Sequence, residues 1–517
     1  MLIRSHKYIK LWEKFDKNKK AAIFLLIILF QLSYVHAENA EKNQFHRLKD
    51  GIGQLFPAKP KRSAEKIDIT ELSKRPFERS KMNAFSAADQ NAPYASNSLA
   101  WIASDPLSGK LSFLDAIHRA VQRRPEISQT IAQISEQNAN IDFSKSQYYP
   151  QLSGGFSTAD LTKGERGGQV YSLNVTQLLY DFGKVKSSVN VAEAKLLQEQ
   201  AGFLVSLDQV SYDVANAIIN IKRYQELGQI AEQQIKGIAR IAEIADLRAK
   251  AGISSQADPI QAQSNLEAAE SNLIVQQSQL RQYQQRLRTL LGLDITGNPW
   301  DIPVSVLQNS ELYKDPDYGF IPSIMQAQAA VDVAKLQKQQ AKLSAYPTIH
   351  VKGSLSQAVS GRNPNNNEDN GFYNSIMLEA SSNFYQGGAI GAQTRAAGFA
   401  EEAARAQVNT AYLDVLDQVR LIREQIENKE RQMAVLVQRR ETTARTKELY
   451  QEQYKLGTRT VVDLLNAEQS IHSAAMEIVN SQYDIYAALA QYIQVTGRSR
   501  EIYKLNNIKI QGVEVQP

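Results

Sequence analysis

The sequence has no cysteine. Disulfides, thiolate nucleophiles, cysteine-held zinc and iron–sulfur clusters are therefore excluded, as is a lipid anchor built on an N-terminal cysteine. Proline and glycine are scarce, at 15 and 26 in 517 residues. So little punctuation points to long uninterrupted elements. Of six histidines, His46, His118, His350 and His472 lie beyond residue 37. They are scattered, without a His-Glu-x-x-His pattern or a pair at helical spacing. No glycine loop is followed by Lys-Ser or Lys-Thr. No catalytic residue, metal site or cofactor is expected.

The net charge of +5 is local. Residues 1–37 hold seven of the 59 basic and two of the 54 acidic residues, which leaves 52 of each beyond them. A balanced chain gives no reason to expect nucleic acid as a partner.

Long apolar runs are missing too. The longest, Ala21 to Leu32, has 12 residues, which is short for a ~30 Å bilayer core. It follows Lys17, Lys19 and Lys20 and precedes the small-x-small site Val35-His36-Ala37, as in a secretory signal peptide over 1–37. No later segment reaches ~18 consecutive apolar residues. A β-barrel is then the remaining way for the exported chain to cross a membrane. Residues 38–108 mix charged residues, Ser and Pro without a period, and include Lys59-Pro60-Lys61-Arg62. They read as a disordered N-terminal extension, with a docking segment for a periplasmic partner as the sharper alternative.

What remains is one unit written twice. Tyr149-Pro150 returns as Tyr346-Pro347 at an offset of 197. Tyr180-Asp181-Phe182-Gly183 returns as Tyr385-Gln386-Gly387-Gly388, Ala251-Gly252 as Leu456-Gly457, and Asp258 and Ala262 as Asp463 and Ala467, all at 205. The repeats span 109–295 and 322–497, with a linker over 296–321 and a C-terminal tail over 498–517.

Between the tyrosine markers, over 148–180 and 346–386, the period is two. Tyr171, Leu173 and Val175 alternate with Ser172, Asn174 and Thr176. Ile349, Val351 and Leu355 alternate with His350, Lys352 and Ser354, and Ile376, Leu378 and Ala380 with Ser375, Glu379 and Ser381. Lipid outside and water inside a barrel demand this alternation. Tyr148, Tyr149, Tyr180, Phe182, Tyr346, Phe372, Phe384 and Tyr385 flank the strands as aromatic girdles would. Polar loops over 157–169 and 357–371 join each pair.

Elsewhere the period is helical. Leu204, Leu207, Val210, Val214, Ile218 and Ile221 form one stripe, and Val415, Val419, Ile422, Ile426 and Met433 another. Neither 183–250 nor 389–455 contains proline, so each reads as one helix of roughly 100 Å. Shorter helices over 111–146, 259–290, 322–345 and 463–495 pair with them. The fold class is mainly α: long antiparallel coiled-coil helices interrupted by two β-hairpins, with a membrane β-barrel portion. Four strands cannot close a barrel, and open edges are not allowed in lipid. Copies of the chain must therefore complete it.

Over about 110–497 the sequence resembles the TolC-type outer-membrane channels, the exit ducts of tripartite efflux pumps and type I secretion systems. Four stretches carry the resemblance. Leu111-Ser112-Phe113-Leu114-Asp115-Ala116 with Pro125-Glu126-Ile127 resembles the opening helix. Tyr149-Pro150-Gln151-Leu152 resembles the first strand entry, and Phe384-Tyr385-Gln386-Gly387-Gly388 the strand-to-helix exit. Tyr454 to Ala467 resembles a periplasmic tip turn. The resemblance implies a homotrimer with a 12-stranded barrel in outer-membrane lipid and an α-helical tunnel across the periplasm. It implies as partners a periplasmic adaptor (membrane fusion) protein and an inner-membrane ABC or proton-driven transporter. Residues 38–108 have no counterpart in the plain family pattern.

The resemblance also implies a gate. An Asp at the position of Asp258 is tied in the family to an Arg and a Tyr of the other tip turn, here Arg459 and Tyr454. A charge-assisted hydrogen bond with a phenol makes a latch that a partner could break. The family's two acidic pore rings fall on Asp463 and on Asn466, an amide, so the second ring is lost. The hydroxyl often beside the first Asp is replaced by Ala257. Read from the residues alone, Thr460-x-x-Asp463 is a capping box, Asp258 before Pro259 is an N-cap, and Gly252 and Gly457 are turn residues.

These readings favour an outer-membrane duct for type I protein secretion. The alternatives are the outer-membrane component of a small-molecule or multidrug efflux pump and, from another class, a trimeric coiled-coil adhesin. An adhesin would carry its strands as one terminal anchor, whereas here strand pairs interrupt helices twice.

Overall fold

The structure is a computed structural model that describes residues 66–68, 111–158, 169–295, 297–303, 310–361, 363, 365–383 and 385–516. The 1–37 leader, most of the 38–108 extension, 159–168 of the first loop, 304–309 of the linker and Phe384 lie outside the described residues.

Each repeat runs helix, hairpin, long helix, shorter helix. The first holds α1 (Phe113–Arg123), α2 (Pro125–Ser146), β2 (Gln151–Thr158), β3 (Gln169–Tyr180), α3 (Lys184–Lys250) and α4 (Ala257–Leu291). The second holds α5 (Pro322–Leu343), β4 (Thr348–Ser360), β5 (Phe372–Ser381), α6 (Ala389–Lys455) and α7 (Val461–Val495). The chain ends in α8 (Ser499–Ile502), β6 (Lys509–Ile510) and β7 (Val513–Gln516), and β1 (Lys66–Asp68) precedes the repeats. The single helix expected over 111–146 is two. Pro125 forces extended backbone on Arg124, at φ −68° and ψ 130°, and the helix restarts with Pro125 in its first turn.

α3 and α6 are both 67 residues long, about 100 Å at 1.5 Å per residue. Each is preceded by a glycine in the left-handed region, Gly183 at φ 90° and Gly388 at φ 82°. Asp181 caps α3 by accepting from the backbone N–H of Gly183 at 2.9 Å and Val185 at 2.6 Å. The α3 stripe from Leu204 to Ile221 is fully buried, and so are Val415, Val419, Ile422 and Ile426 of α6. Met433 is only half-buried, and Leu436 takes the buried place beside it.

The hairpins join into one antiparallel sheet, ordered β2-β3-β4-β5. Its register puts Gly154, Leu173, Leu355 and Asn374 in one row and Leu152, Val175, Gly353 and Ile376 in another, while Ser153, Asn174, Ser354 and Ser375 line up between them on the opposite face. Apolar and polar residues thus separate over the middle of the sheet, as period-two strands require, with Asn374 on the apolar face and Met377 on the polar one as exceptions. On the polar face the Lys352 ammonium donates to Glu379 at 2.8 Å, and the Ser354 and Ser375 hydroxyls share a 2.7 Å hydrogen bond. β2 and β5 have open edges in the single chain. The β4–β5 loop is held by Asn363, fully buried, whose amide donates to the Ser356 and Gly371 carbonyls at 3.2 and 3.0 Å.

The 498–517 segment is not a loose tail. Ile502, Tyr503, Leu505, Ile510, Val513 and Val515 enter the main apolar core with α1, the middle of α3 and the end of α4. His118 binds the Tyr503 carbonyl through Nε2 at 2.8 Å. β1 pairs in parallel with β7, so Lys66–Asp68 depart from the disordered extension expected over 38–108. A strand so short gives no readable period, and its partner lies some 450 residues away. The linker is tied to this same belt. Arg423 donates to the Leu312 and Lys314 carbonyls at 2.8 Å, and Arg498 to the Ser310 carbonyl at 2.7 Å.

Candidate functional site

The two helix pairs turn at the same end of the molecule, far from the sheet. Both turns use one device. Gly252 at φ 72° and Gly457 at φ 78° follow the last helical residues of α3 and α6. Ile253 N–H then donates back to the Arg248 carbonyl at 2.9 Å, and Thr458 N–H to that of Gln453 at 3.0 Å. This double wrap satisfies the carbonyls a helix end leaves open, and it needs a residue at positive φ.

The helices that follow begin differently. Thr460 caps α7: its hydroxyl accepts from Asp463 N–H at 3.2 Å, while Asp463 accepts from Thr460 N–H at 3.2 Å. The expected capping box is present. Hydrogen bonds from the Thr460 hydroxyl and backbone hold the Asp463 carboxyl below its ordinary range. α4 begins at Ala257 with Gln256 in the cap position, and no side chain caps it there. Asp258 is thus the second helical residue, not the N-cap, and Pro259 the third. Ser255 takes up the free Ala257 N–H at 3.1 Å. Asp258 still places its charge in the first turn, where the helix dipole favours it.

Tyr454 lies inside the tip's apolar core, 4% exposed, among Ile238, Ile241, Ala245, Ala262 and Leu464. Burial pushes its phenol up; Arg248 opposes this and Asp258 adds to it. Its hydroxyl has no hydrogen-bond partner among the described residues. The cation over the ring is Arg248 of α3, with the guanidinium carbon 4.8 Å from the centroid. Arg248 also donates to the Lys455 carbonyl at 3.4 Å. Arg459 stays on its own turn. It donates to Gln453 at 3.0 Å, stands 4.5 Å over the Tyr450 ring, and reaches Asp463 at 3.9 Å. The single chain therefore brings Tyr454 near Asp258 and Arg459 near Asp463. It shows no bond between Arg459 and Asp258. Asn466 is exposed, one turn beyond Asp463.

Two features escaped the sequence. Arg248 is one of many helix cations until the fold sets it over Tyr454. Glu468 of α7 is 2% exposed, ion-paired with Lys447 of α6, and its Oε1 lies 3.1 Å from His472 Nε2. Burial alone would raise its pKa, but hydrogen bonds from His472 and Lys447 hold the carboxyl below its ordinary range. Between α3 and α6 a recess of about 440 Å³ is lined by Lys236, Arg240, Arg248, Lys447, Lys455 and Tyr454. Among the described residues no cluster could hold a metal ion, and no helix is long and apolar enough to cross a membrane. The chemistry the tip offers is that of exposed charged side chains and breakable hydrogen bonds and ion pairs.

The profile of the family described as Outer membrane efflux protein matches residues 116–293 and 321–498. The chain is 22% identical over 398 residues to the outer membrane protein TolC of Vibrio cholerae, covering 74% of this chain and 90% of that one. It is 24% identical over 335 residues to the alkaline protease secretion protein AprF of Pseudomonas aeruginosa, covering 62% and 64%. Among solved structures it is similar to the outer membrane protein VceC of Vibrio cholerae, at a TM-score of 0.64 and 16% identity, over 74% of this chain and 96% of that one. It is similar also to the CmeC outer membrane channel of Campylobacter jejuni, at 0.61 and 15%, over 79% and 94%.

Proposed function

Because the chain belongs to the outer membrane efflux protein family, whose members are channels of the outer membrane, we propose that it is the exit duct of a tripartite export system serving type I protein secretion. The observation that carries the duct is the sheet. Four antiparallel strands separate lipid-compatible from polar residues and end in two open edges. In lipid those edges must be covered by other copies. Three copies would give 12 strands and a closed barrel. The long helices α3 and α6, each about 100 Å by their rise per residue, would extend it with their shorter partners as a tunnel through the periplasm.

The tip is then the gate. Asp258, Tyr454 and Arg459 form the latch, with Arg459 meeting Asp258 of a neighbouring copy rather than its own. Asp463 is the acidic ring and Asn466 a neutral one. Gly252 and Gly457 set the two turns that carry them. A periplasmic adaptor would open the latch, and an inner-membrane ABC or proton-driven transporter would feed the duct. The 38–108 extension would serve as a further periplasmic contact, a reading supported by the pairing of Lys66–Asp68 with β7.

AprF, a secretion protein by name, supports protein as cargo. The family's description as efflux proteins supports the second reading, small-molecule efflux. Quantitative proteomics of culture supernatant with and without this gene separates them. Loss of one large exported protein from outside, with its accumulation within, is the expected result. An unchanged exported set, together with rising sensitivity to small toxic compounds, would move the assignment to efflux.

A further inference from the structure

Gly237 stands in the interior of α3, thirteen residues before its end. Glycine weakens a helix interior relative to alanine, so its neighbourhood must explain it. A Cβ added at Gly237 would overlap Glu468 Oε1 outright, and would stand 2.7 Å from Cδ and 3.4 Å from Cγ. Gly228, in the same helix, has nothing within 4 Å of the same added atom. Glu468 is 2% exposed, with Gly237 and Lys447 lining the recess beside it. It is fixed from α6 by Lys447 and from its own helix by His472. Every other α3 residue within a turn of Gly237 carries a Cβ. The carboxylate therefore fits against α3 at this level alone, a few turns above the gate.

We propose that Glu468, seated on the bare backbone of Gly237 and held by Lys447, is a positioning residue that sets the register of the α6/α7 pair on α3 and so keeps the tip closed. The inference rests on the channel reading given above. A sliding or twisting of α7 across α3 brings a Cβ against the carboxylate, so the carboxylate must leave Lys447 and His472, or the pair must separate, before α7 can move. The tip residues act on the pore directly, whereas Glu468 acts through the placement of the helices that carry them.

The test uses the full-length chain, purified as heat-resistant trimers. Closed-state conductance is measured in planar bilayers, and hydrogen exchange is followed over 235–250 and 461–472. Gly237→Ala is expected to raise closed conductance severalfold and to speed exchange in both segments. Gly228→Ala, which adds the same methyl in open space, is expected to leave both at native values. Native conductance and native exchange in Gly237→Ala trimers overturn the proposal. Should that variant not assemble, Glu468→Gln decides instead, because it keeps the size and removes the charge that Lys447 holds. Raised conductance with faster exchange supports the proposal, and native behaviour overturns it. Exchange does not depend on conduction. A native trimer that never conducts would thus remove the channel reading while exchange still judged the register contact.

Discussion

Arg248 stands over Tyr454, with its guanidinium carbon 4.8 Å from the ring centroid, and so ties the last turn of α3 to the last turn of α6. It bridges the two helix pairs at the tip within one chain, beside the apolar core they share. A cation over an aromatic face contributes ~0.5–1 kcal/mol at exposed sites and about 2 kcal/mol when desolvated, and the Tyr454 ring is buried while Arg248 is partly exposed, so the contact biases a closed tip. Arg248→Ala is expected to raise closed-state conductance severalfold in assembled trimers. Arg459→Ala is expected to do the same if Arg459 meets Asp258 of the next copy. Measuring both, singly and together, tells whether the gate is held within chains, between them, or both. Unchanged conductance in Arg459→Ala trimers would remove Arg459 from the latch.

Asn466 follows Asp463 by three residues on α7, so the two lie one helical turn apart and the amide stands close to the carboxylate proposed as the acidic ring. Asn466→Asp would add one negative charge per chain beside Asp463, where the proposed duct would narrow. The expected outcome is a reversal potential shifted toward stronger cation preference, weakening as salt rises and screening shortens. Asp463→Asn should shift it the other way. It should also fray the start of α7, because the carboxylate is half of the capping box. A reversal potential that ignores both changes would place this turn outside the ion path.

Much of this architecture is written in the sequence as period. The two 67-residue helices, the four strands and the tip turns follow from spacing, from the lack of proline and from a fixed offset of 205. That offset misleads at one point. It maps Asp258 onto Asp463, yet α4 and α7 begin at Ala257 and Val461, so the two acids sit one residue apart in helix position. A threonine hydroxyl can cap a helix and a glutamine cannot do so in the same way, and that local difference outweighs the repeat. The capping box of Thr460 was legible because both partners are local. Arg248 over Tyr454, Glu468 under Gly237 and β1 beside β7 were not, because each pairs residues some 200 or more positions apart. No local pattern marks such pairs.

The register of the sheet makes a prediction about which face meets lipid. Leu378 sits 70% exposed on the apolar face, opposite Val351, while the next residue, Glu379, points to the polar face and binds Lys352. An arginine on a lipid-facing barrel position costs ~2–4 kcal/mol near the bilayer midplane. Leu378→Arg should therefore abolish the heat-resistant trimer in outer membranes. Glu379→Ala, on the water side, should assemble normally and alter only conductance. Equal assembly of both would mean that the faces are assigned the wrong way round, or that the sheet does not enter lipid.

A last prediction concerns the belt where the chain's end meets α3. Asp208 is buried against Arg500, with Ser499 beside it and the Tyr503 phenol facing it from the same segment. Burial pushes the Asp208 carboxyl up to about 7, although Arg500 and Ser499 oppose the rise. Its Oδ1 has no partner among the described residues. The sign follows from which state holds the proton. Between about 4 and 7 the unfolded chain has lost this proton while the folded chain keeps it, so stability falls as pH rises, by at most about 1.4 kcal/mol per pH unit. Above the folded value the slope from this group ends. Asp208→Asn cannot ionise and should lack that slope. Below the folded value the native carboxyl is itself neutral, so the amide alters only the hydrogen bonding beside Ser499, by a nearly constant amount over the same range. The melting temperature of the variant, measured against the native trimer in one detergent, should therefore lie furthest below at pH 5 and draw nearer, or cross, by pH 8. A difference that stays constant with pH would mean that Asp208 is ionised throughout, with Arg500 holding its charge despite the burial.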